Sequence, residues 1–180
     1  AESYVDGYCV GNEGLGVRYT LHDLENAIGF LKQRTNKPVT TTEPIDSYLA
    51  GEYSNWLTKN GDWCFPLAQP YWAEVTEAKP AVDWVLTKYN YLTRRHPNPT
   101  IIKEAGLPTY GKAKISEMHQ LKFFKLITEI QLPFFYFEAF DQPWKKGMDG
   151  EQEVEKYWGL FNRHGLPKSA AIWHQETFSK

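Results

Sequence analysis

The chain has 180 residues, a formal net charge of −2 and a pI near 6.2, and 42% of it is hydrophobic. These values exclude a disordered chain and give no electrostatic case for a nucleic-acid or anionic-membrane partner. The length suits one domain with a sizeable core, and no run approaches the roughly 20 apolar residues that a membrane-spanning helix needs.

Read in chain order, Tyr4 to Val10 is an apolar strand that ends in Gly11-Asn12-Glu13. Thr20 with Asp23 three positions on resembles a capping box, and Leu21, Leu24, Ile28 and Leu31 then recur at helical spacing. Pro38 to Thr42 reads as a second strand, closed by Glu43-Pro44, and Ser47 to Thr58 as helical. A third strand is expected over Trp63 to Ala68, followed by the loop Gln69-Pro70-Tyr71-Trp72. Pro80 suits a first helical turn, with Val82, Val85, Leu86, Tyr89 and Leu92 forming the apolar face of that helix. Thr100 to Lys103 reads as a fourth strand closing on Glu104-Ala105-Gly106. Ser116 precedes a long helix carrying Leu121, Phe124, Ile127 and Ile130, and Phe134 to Phe140 is the fifth strand, ending at Asp141-Gln142-Pro143-Trp144. Beyond it the tail from Gly147 is Gly- and charge-rich, then aromatic again near Trp158 to Phe161.

This βαβα series predicts an α/β fold in a single domain over residues 1–180, with about five parallel strands. A full eight-stranded barrel takes about 250 residues, so the pattern predicts an incomplete TIM-type (β/α) barrel, or one whose missing strands lie on a segment outside this sequence. Its open edges would need covering, most simply by another copy of the chain, and a homo-oligomer is expected.

Acidic and amide side chains gather where the strands end: Glu13, Glu43, Gln69, Glu104, Glu138 and Asp141. In parallel α/β folds the site lies at the carboxyl ends of the strands, so an enzyme is expected there. Glycoside hydrolysis by a retaining mechanism needs two carboxyl groups about 5–5.5 Å apart, one protonated and one ionised. Glu13 and Glu104 are the candidate pair. Asn12 is placed to bind a sugar hydroxyl, and Gly106 and Pro108 suggest a tight loop that fixes Glu104. Glu138 follows the apolar run Phe134 to Phe137, where an unpaired carboxylate is costly. It reads equally as a partner for a basic residue and as a ligand contact. Lys145, beside Trp144, is a candidate ligand contact.

The 7 Trp, 11 Tyr and 10 Phe favour a carbohydrate site, because sugar rings stack on aromatic faces, although a single large ring is more often core. The five histidines share no ligand spacing, and there is no GxSxG, GxGxxG or P-loop pattern, so no metal and no cofactor are expected. Cys9 and Cys64 sit in apolar runs and read as two buried free thiols. The chain opens at Ala1 with no signal-peptide pattern, which leaves the compartment unassigned.

Those same residues carry a resemblance to glycoside hydrolase family 17. Val10-Gly11-Asn12-Glu13 resembles the family's acid/base motif at the end of the fourth barrel strand, and Lys103-Glu104-Ala105-Gly106-Leu107-Pro108 its nucleophile motif at the end of the seventh. Ala105 and Leu107 depart from the usual pattern there. Phe137-Glu138-Ala139-Phe140-Asp141-Gln142-Pro143-Trp144-Lys145 looks like the eighth-strand motif, and Trp158-Gly159-Leu160-Phe161 with Pro167-Lys168 like the closing segment. The resemblance covers about Tyr8 to Lys168, the second part of the family barrel. It implies a retaining mechanism on β-1,3-glucans, with Glu13 as acid/base, Glu104 as nucleophile, and Tyr71, Glu138 and Trp144 lining the site. The bacterial members with a similar eighth-strand segment include glucanosyltransferases, so transfer is expected ahead of hydrolysis. Tyr71, Trp72 and Trp144 would form an aromatic platform for the acceptor sugar. Rival expectations are a plain endo-β-1,3-glucanase, a glucan-binding module without activity, and a piece that is inactive alone.

Overall fold

The structure, a computed structural model, describes residues 2–111, 115–145 and 153–178. Four strands and six α-helices are found among the described residues, and they fall into two units, residues 1–68 with 88–103 and residues 69–87 with 104–180.

In the first unit, strand β1 (Tyr8–Val10) pairs in parallel with β2 (Val39–Thr41), with Tyr8 opposite Val39 and Val10 opposite Thr41. Helix α1 (Leu21–Lys32) makes the crossover between them. Its start is fixed as the sequence suggests: the Asp23 N–H donates to Thr20 Oγ1 at 3.2 Å, and the Thr20 N–H donates back to Asp23 Oδ2 at 2.9 Å. Leu24 and Ile28 are the residues it buries, in a cluster with Val39. The helix expected over Ser47 to Thr58 is two short ones, α2 (Ile45–Leu49) and α3 (Ser54–Asn60). The break falls at Gly51, whose φ of +96° no continuing helix allows. Tyr48, Leu57, Cys64 and Leu92 form a second core cluster in this unit.

The third expected strand, Trp63 to Ala68, is not regular. It pairs in parallel through isolated bridges only, Leu67 with Pro44 and Cys64 with Thr100. Pro66 supplies the reason: it has no N–H for a ladder, and only its carbonyl is used, accepting from the Lys103 N–H at 2.8 Å. Cys64 is fully buried and burial pushes its thiol pKa up, whereas Cys9 is exposed, which corrects the expectation of two buried thiols.

Helix α4 (Ala78–Arg95) buries Val82, Val85 and Leu92, with Leu86 and Tyr89 half-buried. Strand β3 is Ile102–Ala105, so Glu104 lies within the strand instead of beyond it. β3 is hydrogen-bonded to β4 (Phe134–Tyr136), and in the second unit the Phe137 N–H donates to the Ala105 carbonyl at 3.0 Å. A Cβ on Gly106 would collide with the Phe137 carbonyl, so only glycine allows these two segments to lie so close. The last strand is shorter than expected. After Tyr136 the chain bends through a cis peptide between Phe137 and Glu138, and pairing resumes only as a bridge between Phe140 and Phe161.

Helix α5 (Glu117–Thr128) is capped by Ser116 as expected, but its buried seam is Gln120, Phe123, Phe124 and Ile127, with Leu121 only partly covered. It packs against α6 (Ser169–Phe178), which the sequence reading had not assigned. Trp173 and Tyr136 both meet the Phe124 ring edge-on, at 6.0 and 5.0 Å. Lys146 and the charged stretch that begins at Gly147 lie outside the described residues up to position 152. No helix among the described residues is long and apolar enough to cross a membrane.

Candidate active site

Glu13 belongs to the first unit, at the end of β1, where its own side chain and that of Asn12 are exposed. Its φ is +46°, a left-handed conformation uncommon for a residue with a Cβ and one that recurs at functional sites. The surroundings hold it there. The Glu13 N–H donates to the Thr42 carbonyl at 3.1 Å. Glu43, buried at the end of β2, accepts from the Gly14 N–H at 3.1 Å, the Leu15 N–H at 3.0 Å and the Tyr19 hydroxyl at 2.9 Å, all on Oε1. Glu43 is therefore the clamp on the turn that follows Glu13. Burial first, and the Glu43 carboxylate second, push the Tyr19 hydroxyl up to about 12, so it stays a donor. The Asn12 side-chain oxygen accepts from Lys103, and its backbone carbonyl from Arg18.

Glu104 belongs to the second unit. Its Oε2 accepts from Gln69 Nε2 at 2.9 Å, and Gln69 Oε1 accepts from the Trp72 indole N–H at 2.9 Å. Glu138 is paired with Lys145 at 2.9 Å and also accepts from the Gln142 amide. The Lys145 ammonium lies 4.6 Å from the centre of the Phe137 ring. Of the two readings of Glu138, the basic partner is present, and the carboxylate is only 12% exposed. Its pKa is raised, first by burial and then by the nearby Glu155 and Glu104 charges, with Lys145 opposing. Glu155, in a 3-10 turn at Val154–Lys156, is raised too, by burial and then by Glu104, again against Lys145.

The second unit thus gathers three carboxyl groups, one ammonium and two amides. Such a group can bind sugar hydroxyls as donor and acceptor at once. Among the aromatics, Tyr71 is only 2% exposed, with its ring edge-on to Trp72 and Trp158 at 5.1 and 5.7 Å. Its ring is wall rather than platform, which narrows the expected stacking surface to Trp72 (44% exposed) and Trp144 (72% exposed). Asp141, one of the acids at a strand end, serves the fold. It is buried, paired with buried Lys168 at 2.7 Å, and accepts from the Gly159 N–H at 2.9 Å.

Sequence reading missed Gln69 as a partner of Glu104, and it missed Glu155. Gln69 carried a signal, an amide in the loop after the third run. Glu155 carried none, because it lies in a charged stretch that periodicity does not place. No group of three or more residues able to hold a metal is found among the described residues.

Residues 1–159 match the model of the BtgE/BtgC glycoside hydrolase domain, and the chain belongs to that family of glycoside hydrolases. A glucan 1,3-beta-glucosidase of Arthroderma benhamiae is 38% identical over 37% of this chain, and one of Saccharomyces cerevisiae is 25% identical over 89% of it. The chain spans 26% and 59% of the length of these two curated relatives. Among solved structures, the β-1,3-glucanosyltransferase of Rhizomucor miehei, of glycoside hydrolase family 17, superposes with a TM-score of 0.74 at 23% identity. The match covers 93% of this chain and 64% of that one, and at this identity it shows the fold alone.

Proposed function

We propose that the chain carries the catalytic carboxylates of a retaining β-1,3-glucan glucanosyltransferase, with Glu13 as acid/base and Glu104 as nucleophile. The observation that carries this reading is the setting of Glu104, a strand carboxylate that accepts from Gln69 and lies near two half-buried carboxyl groups, Glu138 and Glu155, that resist ionisation. Glu104 attacks the anomeric carbon, and the bond to the departing sugar oxygen breaks as that oxygen takes the proton of Glu13. In the second half, Glu13 removes a proton from an acceptor hydroxyl. That oxygen bonds the anomeric carbon, and Glu104 leaves as carboxylate. A sugar acceptor gives a longer glucan and water gives hydrolysis. Trp72 and Trp144 favour the sugar by stacking, while Glu138, Lys145 and Asn12 bind its hydroxyls.

The substrate class is supported by the relatives, two named glucan 1,3-beta-glucosidases and one glucanosyltransferase also solved in complex with laminaritriose. The two glucosidases favour a second reading, hydrolysis as the main outcome. In either case the parallel strands are read as the second part of a (β/α) barrel. Apolar side chains as exposed as Val17 (88%) and Phe135 (59%) support covering by a second copy.

Incubation with a purified laminari-oligosaccharide, followed by mass spectrometry, tests the proposal, with Glu104→Gln as control. Products longer than the input, absent with the control, are expected. Shorter products alone would move the assignment to hydrolase, and unchanged substrate would overturn both.

A further inference from the structure

Gln69 is the residue between two parts of the proposed site that have different tasks, an aromatic face and a carboxylate. The loop that carries it is well determined by its own bonds. Gln69 precedes a 3-10 turn at Pro70–Ala73, whose Trp72 N–H returns to the Gln69 carbonyl at 3.3 Å. Glu74 closes the turn in the left-handed region, φ 63°, with its N–H on the Tyr71 carbonyl at 3.0 Å. Tyr71 is buried below and meets Trp72 edge-on, while Trp72 itself is 44% exposed.

The chemistry of the three groups leaves one orientation for the amide. An indole nitrogen only donates and an ionised carboxylate only accepts. The Gln69 oxygen must therefore face Trp72 and its NH2 must face Glu104, as the two 2.9 Å contacts have it. Rotating the indole away frees the amide oxygen, and the amide can then turn its donor from Glu104.

We propose that Gln69 is a positioning residue that couples the Trp72 indole to the Glu104 carboxylate, so that a sugar seated on Trp72 fixes the hydrogen bond on Glu104. This rests on the reading of Glu104 as nucleophile. In the first half of the reaction the amide holds the carboxylate plane for attack. In the second half, as the bond between Glu104 and the anomeric carbon breaks and its electron pair returns to the carboxylate, the Gln69 N–H stabilises the charge that forms on Oε2. A sugar on the exposed face of Trp72 locks the donor at that moment, which favours transfer over hydrolysis. Stacking on Trp72 thus acts on the chemical step as well as on binding.

The coupling is measurable without substrate. The Trp72 indole 15N–1H resonance is expected to move with pH as Glu104 ionises. Glu138 and Glu155 act on the Glu104 carboxylate and Lys145 acts on both of them, so subtracting the profile of Glu104→Gln removes their contribution. The Glu104-dependent part should vanish in Gln69→Leu and persist in Glu138→Gln. A Trp72 resonance that titrates in Gln69→Leu as it does in the parent chain would overturn the proposal, as would one that ignores Glu104 from the start.

Kinetics supply the second readout. Gln69→Leu should lower turnover about a hundredfold, the lower end for loss of one positioned donor, with a larger loss of transfer than of hydrolysis. Gln69→Glu should recover activity as the pH is lowered, because a protonated carboxyl at position 69 donates where the amide did. Gln69→Leu within twofold of the parent, with an unchanged product ratio, would refute the coupling. Thermal melting of each variant separates loss of fold from loss of function. If the parent chain itself turns over no glucan, the nucleophile reading fails and the resonance experiment still decides the coupling.

Discussion

Glu138 is the residue whose charge state matters most to the account. Burial raises its pKa even with Lys145 at 2.9 Å, so the folded chain binds its proton more tightly than the unfolded chain does. For a carboxyl shifted upward, this contribution to stability is complete below the unfolded value and is lost as pH rises through the folded value. Glu138→Gln removes that loss. Its melting temperature should match the parent below about pH 4, near the unfolded carboxyl value, and exceed it at neutral pH. Activity on laminari-oligosaccharide should fall at the same time. A variant less stable than the parent at neutral pH would show that the Lys145 pair outweighs the cost of burial. At this scale the sequence was legible for charge type and position, and blind to partners. It named Glu13, Glu104, Glu138 and Lys145, but Gln69 and Glu155 are brought to Glu104 only by the path of two loops.

Among the elements, those set by local chemistry were read well and those set by pairing were not. The Thr20–Asp23 capping box starts α1 at Leu21, and Ser116 starts α5 at Glu117, because the caps satisfy N–H groups within four residues. Strand ends depend on neighbours far along the chain. β3 reaches Ala105 because the Phe137 N–H takes its carbonyl, and the third run loses its ladder at Pro66. The segment after β4 is held by backbone bonds to the stretch 158–161 and by a buried long-range pair, Asp141 with Lys168, whose ammonium also reaches Thr109 at 3.0 Å. Breaking one partner of a buried pair costs about 3–5 kcal/mol. Lys168→Met should therefore lower stability by about 3 kcal/mol in urea titration, and Asp141→Asn in the same chain should recover part of it. Additive losses in the double variant would mean that the two residues act separately.

For the whole molecule, an α/β fold with parallel strands was legible from the alternation of apolar runs and helical patterns, and the family from four motifs spread over it. The division into two units was not, since it follows contacts rather than composition: α4 and β3 each contribute residues to both. A homo-oligomer was inferred from open edges, and the exposed apolar side chains keep that expectation in place. Multi-angle light scattering should return at least twice the 20.9 kDa chain mass, and a stable monomer would contradict the covering argument.

The central claim is that Glu104 is the nucleophile of a retaining reaction. It is tested most directly by trapping the glycosyl-enzyme with a 2-deoxy-2-fluoro laminaribiosyl fluoride and mapping the labelled peptide. The account predicts one added glycosyl mass on Glu104, absent in Glu104→Gln and released on addition of an acceptor sugar. A label on any other carboxylate, or turnover of the fluoride with an inverted product and no label, would contradict it.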